Sequence, residues 1–194
     1  MHKELWQQLA ELKGVKVAAS AQCQYSKSSE QYNILFLNGE YTVTVADKEI
    51  LSSSGEEPGF IEQLCILSYL INAVDVPEAG KLVKGDSLAG GEFFFKGVHA
   101  LETARLEECF GECPELLYDI AESFDATRCE FGDASIKLYA FSKVPLTIVI
   151  WQSDDEFPAR ASILFDKTAD KQLPLDALLA VANHTVKALV AAAG

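Results

Sequence analysis

The spacing of apolar residues changes character several times along the chain. Leu5, Leu9 and Leu12 fall four and three residues apart with Trp6 beside them, which predicts a peripheral helix over about residues 2–13, ended by Gly14. The alanine-rich run from Val15 to Ala21 reads as a second, short helix. The period then shortens. "YNILFLNGEYTVTV" holds two β-branched and aromatic runs around Asn38-Gly39, a dipeptide suited to the positive φ angles of a tight hairpin turn. From Phe60 to Val76 apolar residues cover nearly every helical face, as expected of a central helix, and Pro77 and Gly80 break it. Ser and Gly residues followed by Glu56 and Glu57 suit its N-terminal end.

"KLVKGDSLAGGEFFFKG" reads as a loop with a Gly-Gly pair and a short aromatic strand or turn, and residues 98–110 and 114–125 read as helical. Three apolar segments follow: Ala134 to Phe141, Val144 to Trp151 and Ala161 to Phe165. In the first, Ile136, Leu138 and Ala140 share one face and Lys137, Tyr139 and Phe141 the other. The second is almost continuously apolar, the mark of an interior strand. Short connectors favour an antiparallel meander. Leu175, Leu178, Leu179, Ala182, Val186, Leu189 and Val190 then trace an amphipathic helix, with Pro174 in its first turn. The segregated order predicts an α+β fold: an antiparallel sheet (hairpin plus C-terminal three-strand meander) packed with a buried central helix and a C-terminal amphipathic helix. Residues 1–194 are expected to form a single domain.

Composition narrows the partners. The chain carries 29 acids against 16 bases, a net charge of −13. A field of that sign repels phosphate backbones and anionic membrane surfaces, so neither nucleic acid nor membrane is an expected partner. "MHKELWQQLAELKG" lacks the apolar centre of a signal peptide, and "FIEQLCILSYLINAVDV" is too short and too interrupted by Glu62 to span a bilayer. Five scattered cysteines, an odd number, suit a reducing compartment. The expected location is the cytoplasm.

Candidate chemistry is sparse. Cys109 and Cys113 flank "FGE" with three residues between them and no second pair, which argues against a zinc or iron–sulfur site. Cys65 lies in the buried helix, where a thiol acts as a small hydrophobe. His184 projects away from the apolar stripe of its helix and reads as solvated, whereas His99 is the histidine expected in the interior. "KGDSLAGGE" lacks both the lysine-serine ending of a phosphate loop and the glycine spacing of a dinucleotide fold. Phe93, Phe94 and Phe95 read as core.

The sharpest feature is "WQSDDEFPARA". Asp154, Asp155 and Glu156 cannot all be buried unpaired, so they mark a hydrated turn, and Arg160 is expected to fold back on them as an ion pair. Phe157 before Pro158 is biased towards extended geometry and relaunches the strand. Beyond a wet corner, the segment fits a ligand-binding rim: Trp151 and Phe157 as apolar walls, Asp154, Asp155, Glu156 and Arg160 as polar orienters, and the Gly90, Gly91 and Phe95 loop opposite.

"VPLTIVIWQSDDEFPARASILFDKTADKQLPLDAL" also resembles the C-terminal part of an uncharacterised domain-of-unknown-function family from anaerobic bacteria and archaea. The shared elements are Pro145 to Trp151, Asp154 to Pro158, Ala161 to Asp166 and Leu173-Pro174. "ILSYLINA" and "LVKGDSLAGGEFFF" resemble the family's buried helix and following loop, so the similarity covers about residues 30–185. The family has no assigned reaction. Some members are similar in carrying an added iron–sulfur module of the kind found in corrinoid proteins, and this chain has no such cysteine-rich module at either end. The resemblance implies an accessory or cofactor-handling role in anaerobic, corrinoid or one-carbon metabolism. The leading expectation is therefore a non-catalytic protein that binds a small ligand or a partner protein. The alternatives are a thiol- or metal-assisted enzyme and a self-associating structural module.

Overall fold

In the computed structural model, which describes residues 2–194, helices α1 (Lys3–Glu11) and α2 (Gly14–Ala21) precede the first sheet. Leu12, in extended backbone, ends α1, and Gly14 opens α2 instead of closing α1. Trp6 and Leu9 are buried, and α1 packs against α3 (Phe60–Asn72).

The predicted hairpin is β2 (Gln31–Phe36) and β3 (Gly39–Thr44), joined in an antiparallel four-stranded sheet to β1 (Gln24–Ser26) and β4 (Glu49–Ser52) in sequential order. The turn sits one residue earlier than Asn38-Gly39. Phe36 pairs with Gly39, and Leu37 (φ 48°) and Asn38 (φ 66°) are the two left-handed central residues. Tertiary contacts hold this placement: the Leu37 N–H donates to the Ala140 carbonyl at 3.0 Å, and the Asn38 amide donates to the Ser123 carbonyl at 3.3 Å.

Helix α3 stops at Asn72, short of Val76, and its first turn is exposed at Phe60 and Ile61. The remainder is central as predicted, with Cys65, Ile66, Leu67, Tyr69 and Leu70 fully buried. Its N-cap is Gly59, whose N–H donates to Glu62 Oε2 at 2.8 Å. After β5 (Leu82–Lys84) the aromatic run forms the short helix α4 (Gly91–Phe94) rather than a strand. Helices α5 (Thr103–Phe110) and α6 (Leu116–Asp119) occupy only part of the two segments predicted to be helical.

The meander is β7 (Ala134–Phe141), β8 (Val144–Trp151) and β9 (Arg160–Asp166), extended by β5 at one edge and by β6 (Thr127–Arg128) at the other, all antiparallel. β8 lies between β7 and β9 and is buried from Val144 to Ile150, as its almost continuous apolar run requires. Ile136, Leu138, Leu146, Ile148, Ile163 and Phe165 are buried in the core. The alternation fails at both ends of β7, where Ser135 and Phe141, which by strict alternation share the face of Lys137 and Tyr139, are buried. A register shift between Tyr139 and Phe141 lets Phe141 join the core instead of the face of Lys137 and Tyr139. Phe141 then stacks on Phe36 of the first sheet at 4.6 Å and on Tyr69 of α3 at 4.2 Å, tying both sheets to the central helix.

After α7 (Ala169–Gln172), helix α8 (Leu175–Ala193) packs against α3, α5, α6 and α7, with Leu178, Ala182, Val186 and Leu189 inward. Pro174 is its N-cap rather than a first-turn residue. By length and composition alone α8 could cross a membrane, but here its apolar stripe belongs to the protein core. The arrangement is α+β, with two antiparallel sheets, a buried central helix and an amphipathic last helix.

Candidate functional site

Trp151 ends β8, and Arg160 opposite it begins β9, so register places the two side chains on the same face. The Arg160 guanidinium lies over the indole, 5.5 Å from the ring centroid. The ion pair expected between Arg160 and the acidic triplet does not form. Among the described residues no carboxylate comes within ion-pair distance of Arg160, because strand pairing directs it to Trp151.

The connection from Gln152 to Ala159 is fixed by hydrogen bonds. The Gln152 N–H donates to Asp133 Oδ2 at 2.8 Å, and its side-chain amide donates to the Glu112 carbonyl at 2.9 Å. The Ser153 N–H reaches the Gly111 carbonyl at 3.1 Å. Asp154 Oδ1 accepts from the N–H groups of Glu156 (2.8 Å) and Phe157 (2.7 Å), closing the turn on itself. The Ala161 N–H donates to Glu107 Oε1 at 3.0 Å. Gly111 is required at the base, since a Cβ there would run into Ala159 and the Glu107 carbonyl. The corner is therefore docked on the end of α5.

This framework borders a cleft of about 430 Å³ lined by Asp133, Trp151, Gln152, Asp154, Phe157 and Arg160, with Pro158. Phe157 is 65% exposed. The structure thus brings together four of the predicted residues: Trp151, Asp154, Phe157 and Arg160. Asp155 and Glu156 are exposed and lie outside the lining. The predicted opposite wall is elsewhere. Gly91 lies so close to the Gly85 carbonyl that a side chain would not fit, Gly90 adopts φ 78°, and Phe95 packs towards Phe165. Phe95 lines a separate hollow of about 290 Å³ with Leu101, Ala161 and Ile163.

Several other side chains sit where local pattern did not place them. Phe93 is 83% exposed rather than core, and Phe94 stacks on an exposed His99 at 4.6 Å. The half-buried histidine is His184, stacked on Phe36 at 5.4 Å, with Nε2 3.8 Å from Glu62 Oε1. Burial pushes its pKa below the ordinary histidine value. Tyr41 donates to the same Glu62 oxygen at 3.1 Å, and burial together with Glu62 pushes its hydroxyl up to about 12. This cluster joins three distant segments, so no sequence spacing announced it. Desolvation raises the thiols of Cys65 to about 12 and Cys23 to about 11, which suppresses thiolate at neutral pH. Among the described residues no group of three or more His, Cys, Asp and Glu side chains is placed to hold a metal ion. A larger concavity, about 560 Å³, lies on the first sheet. Its lining looks like the ordinary polar half of alternating strands, which is why the sequence did not mark it.

These features define an α+β chain whose candidate site is an open aromatic cleft at a strand corner. The family model named Domain of unknown function (DUF3786) matches residues 15–188, and the chain belongs to that family. No curated protein and no solved structure matches the chain.

Proposed function

We propose that this chain is a non-catalytic, cytoplasmic accessory protein that binds a small ligand at the Trp151 corner, with residues 1–194 acting as one domain. The observation that carries the proposal is the built cleft: an Arg160–Trp151 stack and an exposed Phe157 held beside Asp133 and Asp154 by a loop whose hydrogen bonds are already formed. Preorganised aromatic surface with a few directional polar groups is the usual chemistry of a small-molecule site. The occupant that fits is a planar ring system that slides against Trp151 and Phe157 while its polar edge meets Asp133, Asp154 and Arg160. The resemblance described above points to corrinoid or one-carbon metabolism in an anaerobe.

Thermal-shift and titration-calorimetry measurements against corrinoids, folates and nucleotides test the reading. A ligand at about 100 times its Kd should add about 2.7 kcal/mol of stability, and Trp151→Ala should abolish the gain. If no compound in the three classes raises Tm, the cleft is not a site for them and the proposal falls.

A second reading, engagement of a protein partner, draws on the exposed Phe93 and Val98 in the segment after Gly90. Light scattering separates its self-associating form: a strict monomer removes it.

A further inference from the structure

We propose that the outward face of the four-stranded sheet is a second binding site, for a neutral, hydroxyl-rich ligand of the saccharide type. The concavity of about 560 Å³ on this sheet is lined by residues of β1, β2 and β3 together with Gln22, Cys23 and Ser142. Its volume is in the range of small-molecule sites.

Register organises the lining. Gln24 pairs with Asn33, and Asn33 pairs with Thr42, so an amide, an amide and a hydroxyl form one row across β1, β2 and β3. The next row pairs Leu35 with Glu40. Both rows point away from the core, because Tyr32, Ile34, Phe36 and Val43 occupy the inward positions. The Thr42 hydroxyl donates to Asn33 Oδ1 at 3.0 Å. That bond engages the Asn33 carbonyl and leaves its N–H₂ group, which has no hydrogen-bond partner among the described residues, as a free donor beside a Thr42 oxygen that still accepts. A donor and an acceptor side by side match a vicinal diol, in which each hydroxyl both gives and takes a hydrogen bond. Leu35, 48% exposed in the adjacent row, offers an apolar surface to the C–H face of a ring. Glu40 supplies a carboxylate acceptor next to it.

Charge sets the class. In a chain of net charge −13, Glu40 is, among the described residues, the one charged side chain in this lining, with no lysine or arginine beside it. A phosphorylated or carboxylated ligand would meet a carboxylate with no cation to offset it. The Cys23 thiol stays protonated, since burial pushes it up to about 11. The Tyr41 hydroxyl is committed to Glu62, which leaves the amides, the Thr42 and serine hydroxyls and the Glu40 carboxylate as the directional groups.

The test is a titration of the intact ¹⁵N-labelled chain with D-glucose, maltose and cellobiose, followed by amide spectra. The expected result is saturable shifts of the Gln24 and Asn33 side-chain amides and of the backbone of Thr42. Asn33→Leu with Thr42→Val should weaken binding at least about tenfold, as loss of two directional hydrogen bonds requires. Asn33→Asp, which keeps an acceptor for Thr42 but removes the outward donors, should do the same in a protein whose remaining spectrum is unchanged. Absence of shifts with all three sugars, tighter binding of glucose 6-phosphate than of glucose, or undiminished binding by Asn33→Asp would overturn the proposal. Shifts confined to the Trp151 indole N–H would also overturn it, by assigning the sugar to the other cleft.

Discussion

The two sheets use the same antiparallel pairing to opposite ends. In the five-stranded sheet, β8 is buried on both faces, and Thr147 and Val149 are as enclosed as Leu146 and Ile148. In the four-stranded sheet, β2 alternates strictly, with Tyr32, Ile34 and Phe36 inward and Asn33 and Leu35 outward. One sheet encloses both faces of its central strand, and the other leaves one face of β2 exposed. The Trp151 corner lies where the buried strand leaves the core, so it combines a rigid base with exposed aromatic surface.

That contrast makes quantitative demands. Ile148→Ala, in the middle of β8, should destabilise the protein by about 3 kcal/mol, read from denaturant midpoints, because the site cannot collapse around the lost atoms. Lys143, buried at the β7–β8 turn, should come next. Its ammonium donates to the carbonyls of Val74 (2.6 Å) and Ser20 (3.3 Å) and lies 3.6 Å from Asp75. Lys143→Met should cost about 2 kcal/mol, since both carbonyls lose a buried donor. Leu35→Ala on the outward face should change stability by less than about 0.5 kcal/mol. A cost comparable to that of Ile148→Ala would show the outward face to be covered and would erase the contrast.

The smallest effect concerns pH. His184 is half-buried between Phe36 and Glu62, and burial lowers its pKa from 6.5. The unfolded chain therefore binds a proton more readily than the folded one. The stability associated with neutral His184 is full above pH 6.5 and declines as pH falls through that value. Melting curves between pH 8 and 5 should show a downward slope that His184→Gln reduces. An identical slope in the variant would mean that Glu62 compensates the imidazolium charge fully.

Legibility in the sequence followed the range of the interaction. The β8 run, the α8 stripe and the hairpin were readable because their signals lie within a few consecutive residues. The one-residue displacement of the turn was not, because Leu37 is held in place by Ala140, a hundred residues away in another sheet. Phe141 entered the core through a bulge that alternation alone cannot forecast. His99 and His184 exchanged roles for the same reason: helical phase gives a direction, but only packing shows what waits there, and α8 turns His184 onto Phe36. At the Trp151 corner the aromatic and acidic residues were evident. The anchors that make it a cleft, Asp133, Glu107, Gly111 and Glu112, were scattered over other segments.

The proposed binding role of that corner is open to a direct optical test, because of the chain's two tryptophans Trp151 lines the cleft and Trp6 does not. A Trp6→Phe variant leaves Trp151 as the sole indole emitter. Titrated with a corrinoid, a folate and a nucleotide, it should show a saturable change in Trp151 emission with at least one of them, lost when Arg160 is replaced by Ala. Unchanged emission across all three, with an unchanged Tm, would contradict the account.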